Sequence, residues 1–481
     1  MKLFEKLFFV ALIFLFLATR LYKITIPLAD HHSWRQVDTA AVARNFIKDG
    51  FNFLRPQIDN YIPLHPNTNN NDRLFLVEPP VYNSIVAGVY SVMGVRESYA
   101  RLVSILFSFG SMVLLYLIVA KLTNSRTGLL SAFFFTVLPF NVYYSRTILP
   151  EPMIIFLVLG MFYSTTQWLE TQKAGWYVIL FAVSAIALTQ KAFPLFCLLP
   201  LFYLIWQKYR FTLFAQKKVY LLLFCFIPFL MWRQYIGHYP EGIPANEWLF
   251  NQNNIRFKGA FFYWIFARRI GELILGWWGL PLLVIGIIGK PKKEGWFFHY
   301  WLLAILIFTT VFAAGNVTHD YYQIPMIPII CVFLAKGVEL LLFNADKTFS
   351  KGICYLVFGI CSLFMVAFGW YQVRDFYNIQ SGVDLAGAAV TKLTPKDALI
   401  ITGDTNDSTL LYNTNRHGWT AGYASPYPNT SGVIEELTRQ GASYYVTTKF
   451  DRGSDFSRYM LNNYQIISES DQYILFKLNK L

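Results

Sequence analysis

Near the start of the chain, Asp30-His31-His32-Ser33-Trp34-Arg35-Gln36-Val37-Asp38 brings carboxylates, imidazoles and a guanidinium together in one short stretch. It leads into Thr39–Ile47, which reads as a short helix. A helix beginning near His31 would place His31, Arg35 and Asp38 on one face at i, i+4 and i+7. A base, a cation and a carboxylate presented together suit proton transfer beside a developing negative charge. The plainer alternative is an interfacial loop that carries its polar residues, with Trp34 as a belt anchor.

Four further places hold candidates. Glu78-Pro79-Pro80 puts a carboxylate where prolines fit the first turn of a helix, either as a working acid or base or as a favourable charge at the helix start. Arg146 and Glu151, within Tyr143-Tyr144-Ser145-Arg146-Thr147-Ile148-Leu149-Pro150-Glu151-Pro152, either form a capping salt bridge or meet a ligand. Lys191, after Thr189-Gln190 in an apolar stretch, is a point charge for a lipid phosphate or a snorkelling lysine. His319-Asp320-Tyr321-Tyr322 offers a histidine and a carboxylate as ligands of a divalent metal, as an oriented pair or as a structural network. His238, Glu241, Arg256, Lys258, Arg268 and Arg269 lie in another polar loop, but their spacing names no chemistry.

The elements that must position these residues are set by lipid. Of 481 residues, 55% are hydrophobic and only 14% charged, more apolar surface than a soluble domain of this length hides. The fold class expected is mainly α: a polytopic membrane protein with about 11 transmembrane helices and a small extracytoplasmic α/β C-terminal domain. The spans read as 7–24, 102–120, 128–144, 152–168, 175–190, 192–206, 219–235, 271–289, 297–315, 322–342 and 353–371. The first is a retained helix rather than a secretory signal if Arg20 and Lys23 snorkel at its end, since no clear small-residue cleavage site follows.

Pro79–Met93 is apolar but short, and charge decides its place. If it lies on the membrane surface, the inner side holds fourteen Lys and Arg, whereas the short outer loops hold only two, Arg146 and Lys191. If it spans, twelve of the fourteen move outside. The surface placement is therefore expected. A transmembrane domain then covers 1–374, with outer loops 25–101 and 236–270, and 375–481 forms an outer α/β domain. In that tail, strands are expected at Ala398–Thr402, Tyr444–Thr448 and Tyr473–Leu478, and helices at Gly432–Gln440 and Phe456–Asn462.

The net charge of +13 is dispersed between apolar spans, so nucleic acid is not an expected partner. No GxxxxGKS/T or strand–GxGxxG–helix pattern occurs, so no nucleotide cofactor is expected. The five cysteines fall in apolar spans without CxxC spacing and read as buried small hydrophobes.

Taken in order, Ala43-Arg44-Asn45-Phe46, Glu78-Pro79-Pro80-Val81-Tyr82, Tyr143-Tyr144-Ser145-Arg146, Thr189-Gln190-Lys191 and His319-Asp320-Tyr321-Tyr322 resemble the C-type membrane glycosyltransferases. The family in question is that of dolichyl-phosphate-mannose protein mannosyltransferases and bacterial aminoarabinose transferases. The resemblance implies an acidic catalytic base in the first outer loop and a polyprenyl-phosphate sugar as donor. Where that family usually has an Asp-Glu pair shortly before its Ala-Arg-Asn, this chain has Arg35-Gln36. The base expected is then Asp38, ahead of Asp30 and Glu78. Arg35, Arg146 and Lys191 are expected at the phosphate, with His31, Glu151 and Tyr322 also binding substrate. Glu78, Glu151, His319 and Asp320 shape the site or hold a divalent metal.

The function expected is transfer of a sugar from a polyprenyl-phosphate carrier to a glycan, lipid or protein acceptor outside a bacterial plasma membrane. A lipid-linked-sugar flippase or a non-catalytic partner in polysaccharide assembly is the alternative. Charges sitting mostly at span ends, with no convincing repeat, favour the transferase.

Overall fold

The computed structural model describes residues 3–480 apart from 66–67, 344–349, 405–406 and 423–425. The chain is mainly helical with one small sheet. It divides into two compact units. A helical unit comprises 1–24, 102–234 and 246–375, and a mixed unit comprises 25–101, 235–245 and 376–481.

Five of the segments read as spans are continuous and long and apolar enough to cross a membrane: Glu97–Leu122, Glu151–Thr171, Lys217–Ile236, Asp320–Phe343 and Lys351–Tyr377. The remaining segments are short, broken or, in the unbroken helix Leu3–Arg20, carry three charged residues, so eleven crossings do not follow from the helices alone. Ala174–Gln190 and Phe297–Val311 are single but short apolar helices. The segment 192–206 is divided into Phe193–Phe196 and Leu198–Tyr209. The segment 271–289 is not one helix: a π-helix, Tyr263–Ile274, gives way to Leu280–Ile288 through Gly276 and Trp277, both at positive φ.

The segment 128–144 breaks into Ser125–Val137 and Pro139–Tyr144 because Pro139 has no N–H for the preceding turn. The carbonyls left open are met by side chains. Arg20 donates to Phe135 O at 3.1 Å and Thr136 O at 2.8 Å, and Asn141 Nδ2 donates to Phe135 O at 2.5 Å. Arg20 is therefore fully buried over the Phe16 ring and does not snorkel, as the sequence suggested it would.

Leu280–Ile288 and Ile327–Phe343 approach through glycines. A Cβ on Gly286 would lie 1.8 Å from Phe333 O, and one on Gly337 would lie 2.0 Å from Leu282 O. Such backbone proximity requires small residues at the crossing. All five cysteines are buried free thiols, as expected.

In the mixed unit, Ser33–Lys48 packs against Val81–Met93, with Asn83 Nδ2 donating to Thr39 O at 2.7 Å. The sheet contains β1 (Leu399–Thr402), β2 (Gly418–Thr420), β3 (Ala442–Thr447), β4 (Tyr464–Glu469) and β5 (Ile474–Lys480) in the order β2-β1-β3-β5-β4. β1 pairs in parallel with β2 and β3, and β5 runs antiparallel between β3 and β4. Helices Ser431–Arg439 and Asp455–Asn463 begin with Thr430 and Ser454 side-chain caps.

Candidate active site

In the mixed unit, the helix carrying the first cluster starts at Ser33, later than the sequence suggested, because His32 adopts a left-handed conformation at φ 52 and forms its cap. His31 consequently lies outside the helix and does not share a helical face with Arg35 and Asp38. Its ring stacks on Phe376 at 3.7 Å, and its N–H donates to Phe376 O at 3.0 Å.

The two residues standing where the resemblance implies an acidic pair each engage an acid from elsewhere. Arg35 Nη2 donates to Glu78 Oε1 at 2.7 Å, and Gln36 Nε2 donates to Asp30 Oδ1 at 3.0 Å. Arg35 and Glu78 are both buried, and Glu78 lines a small cavity with Thr39, Phe75 and Asn83. Glu78 Oε2 has no hydrogen-bond partner among the described residues. A carboxylate with one oxygen bonded to a cation and the other turned to buried space can accept a further polar group.

Asp38 lies one turn beyond Arg35. Burial of the carboxyl raises its pKa to about 7, against the opposing pull of Arg35 and a hydrogen bond from Ser408. Its Oδ1 has no hydrogen-bond partner among the described residues. A carboxylate that changes charge near neutral pH has the affinity for protons that suits a general base.

A second network in this unit escaped sequence reasoning. Buried Arg44 pairs with Asp59, donates to Tyr412 O at 3.0 Å and stacks over the Tyr412 ring. His417 lies 3.3 Å from both Asp49 and Asp59, and Arg73 binds Asp49 at 2.9 Å. Burial alone would raise Asp59, but Arg44 and His417 hold its carboxyl down to about 2. The only sequence signal was Ala43-Arg44-Asn45-Phe46, since Asp59 and His417 carry no local motif.

The helical unit holds the other candidates. Arg146 is buried, and its Nη1 donates to Tyr22 O at 2.6 Å and Lys23 O at 2.8 Å. Glu151, at the start of its helix, pairs with Lys191 rather than with Arg146. The ammonium of Lys191 also lies 6.0 Å from the Tyr321 ring centre. Asp320 is buried and accepts a hydrogen bond from Tyr144. His319 is extended, and its ring packs against Trp248, Tyr321 and Tyr322. His319 and Asp320 thus face different partners. Tyr322 is half-buried and stacks with Phe308. Arg269, on the π-helix, donates to Val317 O at 2.8 Å and feels the charge of Asp320.

Comparison with known proteins gives this arrangement a frame. Residues 77–232 match the family model described as dolichyl-phosphate-mannose-protein mannosyltransferase, a stretch that includes Glu78, Arg146, Glu151 and Lys191. ArnT from Cupriavidus metallidurans in the apo state superposes with a TM-score of 0.68 at 13% identity, over 98% of each chain. The fold is that of ArnT.

ArnT bound to undecaprenyl phosphate gives a TM-score of 0.65 at 12% identity, again over 98% of each chain. The likeness of fold extends to the Archaeoglobus fulgidus oligosaccharyltransferase in complex with zinc and sulfate, at a TM-score of 0.56 and 9% identity, over 90% of this chain and 68% of that one. By sequence, an uncharacterized protein of Aquifex aeolicus (strain VF5) is 26% identical over 269 residues, 53% of this chain. That match spans 59% of the relative's length.

Proposed function

We propose that the chain is an integral membrane glycosyltransferase that moves a sugar from a polyprenyl-phosphate carrier to a glycan, lipid or protein acceptor on the extracytoplasmic face. The observation that carries this reading is Asp38, a carboxyl raised to about 7 by burial and flanked by the Arg35–Glu78 pair, within a C-type fold. The undecaprenyl phosphate bound to ArnT supports the choice of donor.

In this reading the acceptor oxygen attacks the anomeric carbon while its proton passes to Asp38. The bond between that carbon and the carrier phosphate breaks, and the phosphate leaves with the electron pair. Positive charge spreads over the sugar ring as negative charge gathers on the leaving oxygen, so a carboxylate and cations are needed on different sides of the reacting carbon. Lys191 and Arg146 are the cations assigned to the phosphate, with Glu151 holding Lys191 in place. Asp30 orients Gln36, and His31 and Tyr322 are assigned to substrate contacts. Asp320 is the carboxylate assigned to a divalent metal, with His319 as its neighbour. About eleven crossings, a bacterial plasma membrane and an outer tail complete the proposal, supported by the fourteen-to-two distribution of Lys and Arg between short loops.

The test is transfer of radiolabelled sugar from a panel of polyprenyl-phosphate sugars by the purified chain in lipid vesicles, with and without EDTA. Loss of label from the carrier to water or acceptor supports the enzyme, and sensitivity to EDTA supports the metal role of Asp320. Movement of intact donor across the bilayer without bond cleavage overturns the enzyme in favour of a flippase, and binding without either points to an assembly partner.

A further inference from the structure

A second cavity in the mixed unit has a lining separate from Asp38 and its neighbours. Its volume is about 510 Å³, within the range of small-molecule sites, and every described residue lining it is uncharged. Tyr61, Trp419 and Tyr427 contribute aromatic rings, and Asn69, Asn71 and Gln440 contribute amides.

The aromatic wall is built by a close backbone approach. Gly418 N–H donates to Asp59 O at 3.1 Å, and Tyr61 N–H donates to Gly418 O at 2.9 Å, so the first loop runs alongside β2. A Cβ on Gly418 would lie 1.8 Å from Ile400 O, which only glycine avoids. This register stacks Tyr61 on Trp419 with ring centres 5.1 Å apart. Trp419 is itself buried in the core with Tyr445 and Phe476, so the wall is fixed rather than adaptable.

A fixed aromatic wall with amides suits one ligand class. A pyranose has an apolar C–H face that lies on a ring, and hydroxyls that both donate and accept, as primary amides do. An anionic sugar or a phosphate calls for a cation, and none lines the cavity among the described residues. A nucleic acid would stack on the same rings but leave its phosphates without a counter-charge.

We propose that this cavity binds a neutral oligosaccharide. The claim is independent of the transfer reading, because it concerns binding alone and uses none of the residues assigned to chemistry.

The test uses the full chain in lipid nanodiscs, free of sugar-headed detergents, and saturation-transfer NMR with maltotriose, mannotriose and the anionic sialyllactose. At least one neutral trisaccharide is expected to bind with a Kd of about 1 mM. Tyr427→Ala and Asn71→Ala should each weaken that binding about fivefold or more without lowering the melting temperature, and sialyllactose should bind more weakly. No signal from either neutral trisaccharide at about 10 mM, retention of binding in both variants, or a preference for sialyllactose would overturn the proposal.

Discussion

At the residue scale, the account turns on which carboxylates stand beside which cations. The stretch Asp30–Asp38 stood out in the sequence as a chemical cluster, because it gathers so many ionisable side chains next to an apolar span. Its internal arrangement was not. The left-handed His32 removes His31 from the helix, and Arg35 is bonded to Glu78, 43 residues away, a pairing no local pattern encodes. The Asp59–Arg44–His417 network was hidden for the same reason, apart from Arg44 within Ala43-Arg44-Asn45-Phe46.

The raised Asp38 makes a signed prediction. Its carboxyl is mostly protonated below about pH 7 and ionised above it, and a base acts ionised, so transfer should rise with pH through 7 and level off above about 8. Arg35 lowers the Asp38 pKa, so Arg35→Met should displace that limb to higher pH. The same substitution leaves Glu78 buried without its cation and should cost about 3–5 kcal/mol in stability, largely restored in Arg35→Met/Glu78→Leu. Denaturation of the two variants beside wild type checks the second statement, and residual activity profiled from about pH 5 to 9 checks the first.

At the scale of elements, periodicity and apolar length found most of the helices, and tail strands β1, β3 and β5 lie within two residues of expectation. β2 was missed because Gly418-Trp419-Thr420 is too short to alternate, and β4 because it is a largely exposed edge strand. The breaks inside apolar stretches were legible only in part. Pro139 was visible in the sequence, but Gly276 and Trp277 take their positive φ from packing against a neighbouring helix, whose backbone would meet a Cβ on Gly276 at 2.8 Å.

The Gly286–Gly337 crossing makes a prediction at this scale. Gly337→Leu would drive a side chain into the Leu282 carbonyl, forcing the helices apart at a cost of about 1–3 kcal/mol or more. Thermal unfolding in detergent should show a lowered midpoint. Gly359→Leu, where nothing lies within 4 Å of the new Cβ, should leave it almost unchanged.

For the whole molecule, composition set the expectation of a lipid solvent, and the distribution of Lys and Arg set the expected orientation. The sequence treated 25–101 as a loop of the membrane domain, whereas it clusters into one compact unit with 235–245 and 376–481. Such pairings join residues hundreds apart, as in Arg44 with Tyr412 and Asn60 with Thr420, and only the folded chain reveals them. The proposed orientation places the exposed Asp455 outside and the exposed Lys208 inside. In intact cells a membrane-impermeant maleimide should label Asp455→Cys and reach Lys208→Cys only after permeabilisation, the native thiols being buried. The opposite pattern would reverse the topology and move the proposed chemistry to the cytoplasmic side.

The central claim, that this fold performs sugar transfer with Asp38 as its base, is tested most directly by comparing wild type with Asp38→Asn. The measurement is loss of radiolabel from a polyprenyl-phosphate sugar in vesicles, alongside melting temperatures for both proteins. The account predicts transfer by wild type, a loss of about 100-fold or more in Asp38→Asn, and melting temperatures that agree closely. Transfer by the variant within a few-fold of wild type would contradict it and return the role of base to Asp30 or Glu78.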